Sequence, residues 1–126
     1  MQKIIVSTES APKAIGPYSQ AIETNGMLFV SGQIPLDPQT GKIVEGGITE
    51  QTEQVLKNIG AILSAAGYSY ANVVKSTCLL ADMKYFKEMN EVYARYFPSA
   101  PPARAAFAVK ELPIRALVEI EAIAVK

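Results

Sequence analysis

The chain has 126 residues, 49% of them apolar and 19% charged, and Lys plus Arg (12) balances Asp plus Glu (12). That composition belongs to a folded domain, and zero net charge removes the footprint of a generic nucleic-acid or polybasic membrane-surface binder. Histidine and tryptophan are absent and Cys78 is the only cysteine, so Ser-His-Asp and Cys-His catalysis, His-ligated metal, an internal disulfide and a thiolate cage are all excluded.

Residues 1–126 are read as a single domain. Met1 to Val6 is too short and too soon polar for a signal peptide, and no apolar run approaches ~20 residues. A cytoplasmic protein without a membrane span is expected. Ile4 to Val6 reads as a short strand, and Ala11 to Ser19, with Pro12, Gly16 and Pro17, as a loop. Gln20 to Thr24 and Met27 to Ser31 read as strands joined by Asn25-Gly26, a strong hairpin signal. Gly32 and Pro35 stop the second strand, and Lys42 to Val44 is a possible short strand.

Thr49 to Ala66 is the clearest helix, with Val55, Leu56, Ile59, Ile62, Leu63 and Ala66 on one face. Glu50 and Glu53 suit its first turn and Gly67 ends it. Asn72 to Ala81 is a strand rich in Val, Thr and Leu. Asp82 caps a second helix, Met83 to Tyr96, stopped by Pro98. Ala103 to Val109 and Ala116 to Val125 are the last strands. Two amphipathic helices cover one face of such a sheet. The final strand is apolar on both faces, so the second face is expected to pack on another subunit.

In that final strand Leu117, Glu119, Glu121 and Ile123 share a face, and Val118, Ile120, Ala122 and Ala124 the other. Two carboxylates ~7 Å apart among apolar neighbours fit a solvated strand face, an interface ion pair or a base with a raised pKa. Arg104 shares its face with the small Ala106 and Ala108, which leaves room for a carboxylate on the guanidinium; the alternative is a surface ion pair. Asn90 lies with Phe86, Met89, Tyr93 and Phe97 on the second helix, where its amide needs a partner, either nearby backbone or a ligand. Cys78 alternates with Val74, Ser76 and Leu80 and reads as a small core residue. The loops Gly16-Pro17-Tyr18-Ser19 and Ser31-Gly32-Gln33-Ile34-Pro35 are either ordinary turns or carriers of ligand contacts.

Taken together, Ala14 to Gln20, Phe29 to Pro35, Asn90 to Tyr93, Pro102-Ala103-Arg104 and Leu117 to Ala124 resemble the RidA (YjgF/YER057c/UK114) family, in order and across essentially the whole chain. The resemblance implies a chorismate-mutase-like α+β fold and a homotrimer with sites at subunit interfaces. It implies a cofactor-independent hydrolase: an enamine/imine deaminase that converts reactive 2-imino acids such as 2-iminobutanoate and 2-iminopropanoate to 2-keto acids and ammonia. By the same resemblance Arg104 holds the substrate carboxylate and Glu119 handles the hydrolytic water. Tyr18, Ser31, Gly32 and Asn90 line the pocket, and Ala106 offers backbone groups. Many relatives carry Ser or Thr and then Cys or Thr after the arginine, where this chain has Ala105 and Ala106.

The implied chemistry needs neither histidine nor metal. The competing reading is a non-catalytic trimer that senses small carboxylates or regulates a partner, which has no use for a carboxylate beside the ligand. RNA cleavage and a chorismate-mutase reaction rank below both, given neutral charge and three arginines.

Overall fold

In the computed structural model, which describes residues 2–126, eight regular elements follow the expected order. They are β1 (Ile4–Val6), β2 (Ala21–Thr24), β3 (Met27–Gln33), α1 (Ile48–Ala65), β4 (Val73–Leu80), α2 (Phe86–Tyr96), β5 (Ala103–Ala108) and β6 (Val118–Val125). The strands form one mixed sheet in the order β1-β2-β3-β6-β4-β5, with only β4 and β5 parallel. Among the described residues no helix is long and apolar enough to cross a membrane.

Local chemistry explains most boundaries. Asn25 and Gly26 both take positive φ (51° and 74°), the twist that closes a two-residue hairpin between β2 and β3. Glu50 turns back to accept the Gly47 N–H at 2.8 Å, satisfying a free donor at the start of α1. The helix ends as Tyr68 N–H donates to Leu63 O at 2.8 Å. Asp82 accepts from Lys84 N–H at 2.8 Å, but Met83–Tyr85 is a 3-10 turn and the α-helix begins only at Phe86. Lys42 to Val44 is not a strand; a single bridge joins Ile43 to Leu36.

The core lies between the helices and one sheet face. Val55, Leu56, Ile59, Ile62 and Leu63 of α1 and Met89, Val92 and Tyr93 of α2 pack on Leu28, Val30, Cys78, Leu80, Val118, Ile120, Ala122 and Ala124. The opposite face carries Ile5, Phe29 and Phe107, which are exposed by 64%, 40% and 48%. Two register shifts shape this sheet. One, between Val73 and Lys75, turns Val74 outward and puts Val73, rather than the expected Val74, in the core with Ser76 and Cys78. The other sets Ser31 and Gly32 against the single residue Glu121, so β3 runs on through the expected stop at Gly32 to Gln33.

Gln20 anchors the segment that leads to Tyr18. Its buried amide donates to Thr8 O (3.0 Å), Ala11 O (3.3 Å) and Pro12 O (2.8 Å), and its carbonyl accepts Thr8 N–H at 2.7 Å. Gln20→Glu points a carboxylate at three carbonyls, so the variant loses about 1–3 kcal/mol or more at pH 7. Its folded-state pKa then exceeds the unfolded value, so the loss is full above the folded pKa, shrinks as pH falls through it, and is gone once pH reaches about 4. Urea unfolding at pH 7 and pH 4 measures both.

Candidate active site

Strand alternation and register decide where each candidate residue points. Arg104 stands beside Ser76, and Ser76 beside Ala122, so Arg104 faces the helices. Glu119 stands beside Leu79 and faces the other way. By strand spacing and rise, their Cα atoms are about 14 Å apart. The structure thus does not bring the two expected catalytic residues together within one chain. It forms two separate partial sites.

The first surrounds Glu119. Tyr18, Ser31, Gly32, Glu119 and Glu121 line a cleft of about 630 Å³ whose apolar walls are Ile15, Ile34, Leu36, Pro113 and Ile114. The β3 bulge builds its floor. A Cβ placed at Gly32 would collide with Oε2 of Glu119 and lie 3.0 Å from its Cδ, so only glycine lets the carboxylate settle there. Ser31 Oγ donates to Ser19 O at 2.5 Å, tying the bulge to the Tyr18 loop. Tyr18 is half exposed, and its hydroxyl accepts Ile15 N–H at 3.3 Å. Among the described residues the half-buried Glu119 carboxylate has neither a hydrogen-bond nor an ion-pair partner. Burial raises its pKa, and the neighbouring Glu121 charge raises it further. Ile114, a β-branched residue, sits at φ 51° at the rim, a strained conformation beside the carboxylate.

The second surrounds Arg104, in a cleft of about 390 Å³ that Asn90, Tyr93, Phe97, Pro101 and Pro102 share. Its Nη1 donates to Asn90 Oδ1 at 2.7 Å, so the Asn90 amide bonds the arginine rather than nearby backbone. The guanidinium carbon lies 4.8 Å from the centroid of Tyr93 and 5.6 Å from that of Phe86. The one ion pair among the described residues is Arg95 with Glu53, at 2.8 Å on the surface, so Arg104 keeps its charge uncompensated. Ala106 is half-buried two residues on, paired with Cys78. Cys78 is buried, and burial pushes its thiol up to about 11, which fits a core residue rather than a nucleophile.

Sequence reasoning missed the aromatic hold on Arg104. Phe86, Asn90 and Tyr93 recur at helical spacing, which was the available signal. It also missed the Glu119 seat on Gly32, which depends on the bulge. A further cleft of about 580 Å³, between residues Ser7 to Ala14 and Pro38, opens beside the Gln20 anchor.

The raised Glu119 pKa has a stability consequence. The folded protein binds the proton more tightly than the unfolded chain, so the ionised carboxylate opposes folding. The penalty is absent below the unfolded pKa and complete above the folded one. In the isolated subunit, where Glu119 has no cationic partner, Glu119→Gln therefore raises the thermal midpoint at pH 7, and the gain shrinks as pH falls towards 4; scanning calorimetry of protein diluted to the monomer, at both pH values, checks the sign.

Residues 8–126 match the family described as Endoribonuclease L-PSP. A RutC family protein from Pyrococcus horikoshii is 59% identical over 124 residues, 98% of each chain. A mouse protein named 2-iminobutanoate/2-iminopropanoate deaminase is 53% identical over 97% of this chain and 90% of its own. The crystal structure of Escherichia coli TdcF with bound serine superposes at a TM-score of 0.93 with 41% identity, covering 98% of both chains. The chain therefore belongs to the L-PSP family, the RidA (YjgF/YER057c/UK114) group that its motifs resemble.

Proposed function

We propose that the protein is an imine deaminase, with residues 1–126 acting as one unit, that hydrolyses 2-imino acids such as 2-iminobutanoate and 2-iminopropanoate to 2-keto acids and ammonia. The observation that carries this is Glu119, an unpaired, half-buried carboxylate with a raised pKa, seated on a glycine bulge in a largely apolar cleft. Such a group has a greater affinity for a proton than a free glutamate, which suits a general base. The relatives named as deaminases supply the substrate class, and TdcF with bound serine is a relative that accommodates a small amino acid.

In this reading Arg104 grips the substrate carboxylate and orients C2. Glu119 positions a water and takes its proton as the oxygen attacks C2. That proton passes to the imine nitrogen, giving a carbinolamine. The carbinolamine hydroxyl then loses its proton by way of Glu119 to the amine, the C–N bond breaks, and ammonia and the keto acid leave. Tyr18, Ser31, Gly32, Asn90 and backbone at Ala106 complete the pocket. Because Arg104 and Glu119 point to opposite faces of one sheet, the working site needs Glu119 of one copy beside Arg104 of another. We assign this to a cytoplasmic homotrimer whose subunits cover the exposed Ile5, Phe29 and Phe107.

Sedimentation equilibrium is expected to give three times the 13.6 kDa chain mass; a concentration-independent monomer overturns the shared site. Glu119→Gln keeps the shape but not the base, so turnover falls by ~10²-fold or more while 2-keto acid binding persists. Arg104→Lys keeps the charge but loses the planar fork and weakens that binding. Imine decay followed by semicarbazide trapping, with calorimetric binding of 2-oxobutanoate, reads both. Undiminished turnover in Glu119→Gln overturns the base assignment. If the wild-type protein binds the keto acid but does not accelerate imine decay, the pocket is a sensor.

A further inference from the structure

Arg104 lies on an edge strand, where a long flexible side chain loses considerable rotamer entropy on binding a ligand unless something holds it beforehand. The hold comes from one face of α2. Phe86, Asn90 and Tyr93 lie at i, i+4 and i+7, and all three meet the guanidinium. Tyr93 provides the nearer ring, and it is itself fixed at both ends. Its hydroxyl lies 2.6 Å from Ser76 Oγ, with both groups buried, and its ring packs on Phe97 at a centroid distance of 4.6 Å. Ser76 is also the residue on β4 that pairs directly with Arg104. The pin is therefore one strand away from the side chain that it indirectly steadies.

We infer that Tyr93 and Ser76 are positioning residues for Arg104: the Ser76–Tyr93 hydrogen bond locks the ring on which the guanidinium rests, presetting the fork for a ligand carboxylate. This rests on the reading of Arg104 as the carboxylate-holding group. Asn90 accepts one guanidinium N–H, which leaves the others for a two-point grip on the ligand. A carboxylate in place of these neutral partners would occupy that fork.

The test compares Tyr93→Phe, Ser76→Ala, their double variant and Tyr93→Leu for KM, kcat, 2-oxobutanoate Kd and thermal midpoint. Tyr93→Phe and Ser76→Ala each free the ring and are expected to raise KM and Kd about threefold, with kcat within about twofold. The double variant shows no further rise, because both changes break one bond. Its stability recovers relative to the single variants, since neither hydroxyl is left buried and unpaired, yet the KM defect stays. Tyr93→Leu removes the ring face and raises KM about tenfold.

A purely structural role predicts that KM follows stability and returns to the wild-type value in the double variant; that result, or unchanged KM and Kd in the folded single variants, overturns the inference. If Tyr93→Leu does not fold, the two hydroxyl deletions decide alone. Arg104→Lys and Glu119→Gln, measured in parallel, separate the failures. Normal binding and turnover in both reject the deaminase reading, and this inference with it. Losses there beside unaffected Tyr93 and Ser76 variants reject only the positioning role.

Discussion

The period-two alternation of β6 is the constraint on which the rest depends. Val118, Ile120, Ala122 and Ala124 go into the helix-covered core, and the same eight residues send Glu119 and Glu121 to the opposite face. β6 sits between β3 and β4, so its register also fixes their faces. A one-residue slip would bury both glutamates beneath α1 and expose four core positions. The bulge at Ser31-Gly32 forms against Glu121 within this pairing, and it places a glycine where the Glu119 carboxylate must rest. The site is thus a consequence of the same ladder that builds the core.

Within that frame the two charged candidates are treated in opposite ways. Glu119 is partly desolvated, unpaired and close to a second carboxylate, so its charged form is disfavoured and its affinity for a proton rises. Arg104 stays charged, and its surroundings restrain it without neutralising it, through one amide oxygen and two aromatic faces. Under the proposed reading, one group exchanges a proton and the other holds an anion. A protein without histidine obtains both capacities from placement alone.

Features set by neighbours in sequence were legible beforehand. Asn25-Gly26 announced its hairpin, the 3.6-residue spacing of Val55 to Leu63 announced the buried face of α1, and the two faces of β6 followed from alternation. Features set by pairing were not. The outward turn of Val74 and the passage of β3 through Gly32 arise from register shifts, which no local pattern encodes. Lys42 to Val44 had strand-like residues but only one bridging partner. The 3-10 turn at Met83–Tyr85 delays α2, although the Asp82 cap was readable. Arg104 and Glu119 could each be singled out from residue type and small or apolar neighbours. Their opposite orientations depend on the registers of β6 with β4 and of β4 with β5, which only the folded sheet reveals.

That opposition has a physical use under the proposed mechanism. Side by side in one folded chain, Arg104 and Glu119 would form an ion pair. The pair would pull the Glu119 pKa down, weaken it as a base and occupy the guanidinium fork. Placing them on opposite faces prevents this in the subunit. In an assembled site, a bound imino acid would put its own carboxylate between them, on Arg104, and leave C2 to the water beside Glu119. The substrate then supplies the negative partner that the arginine lacks, and the base keeps the proton affinity its apolar cleft gives it. Catalysis by position and one proton carrier is enough for an imine, which already hydrolyses in water, so no stronger nucleophile is required.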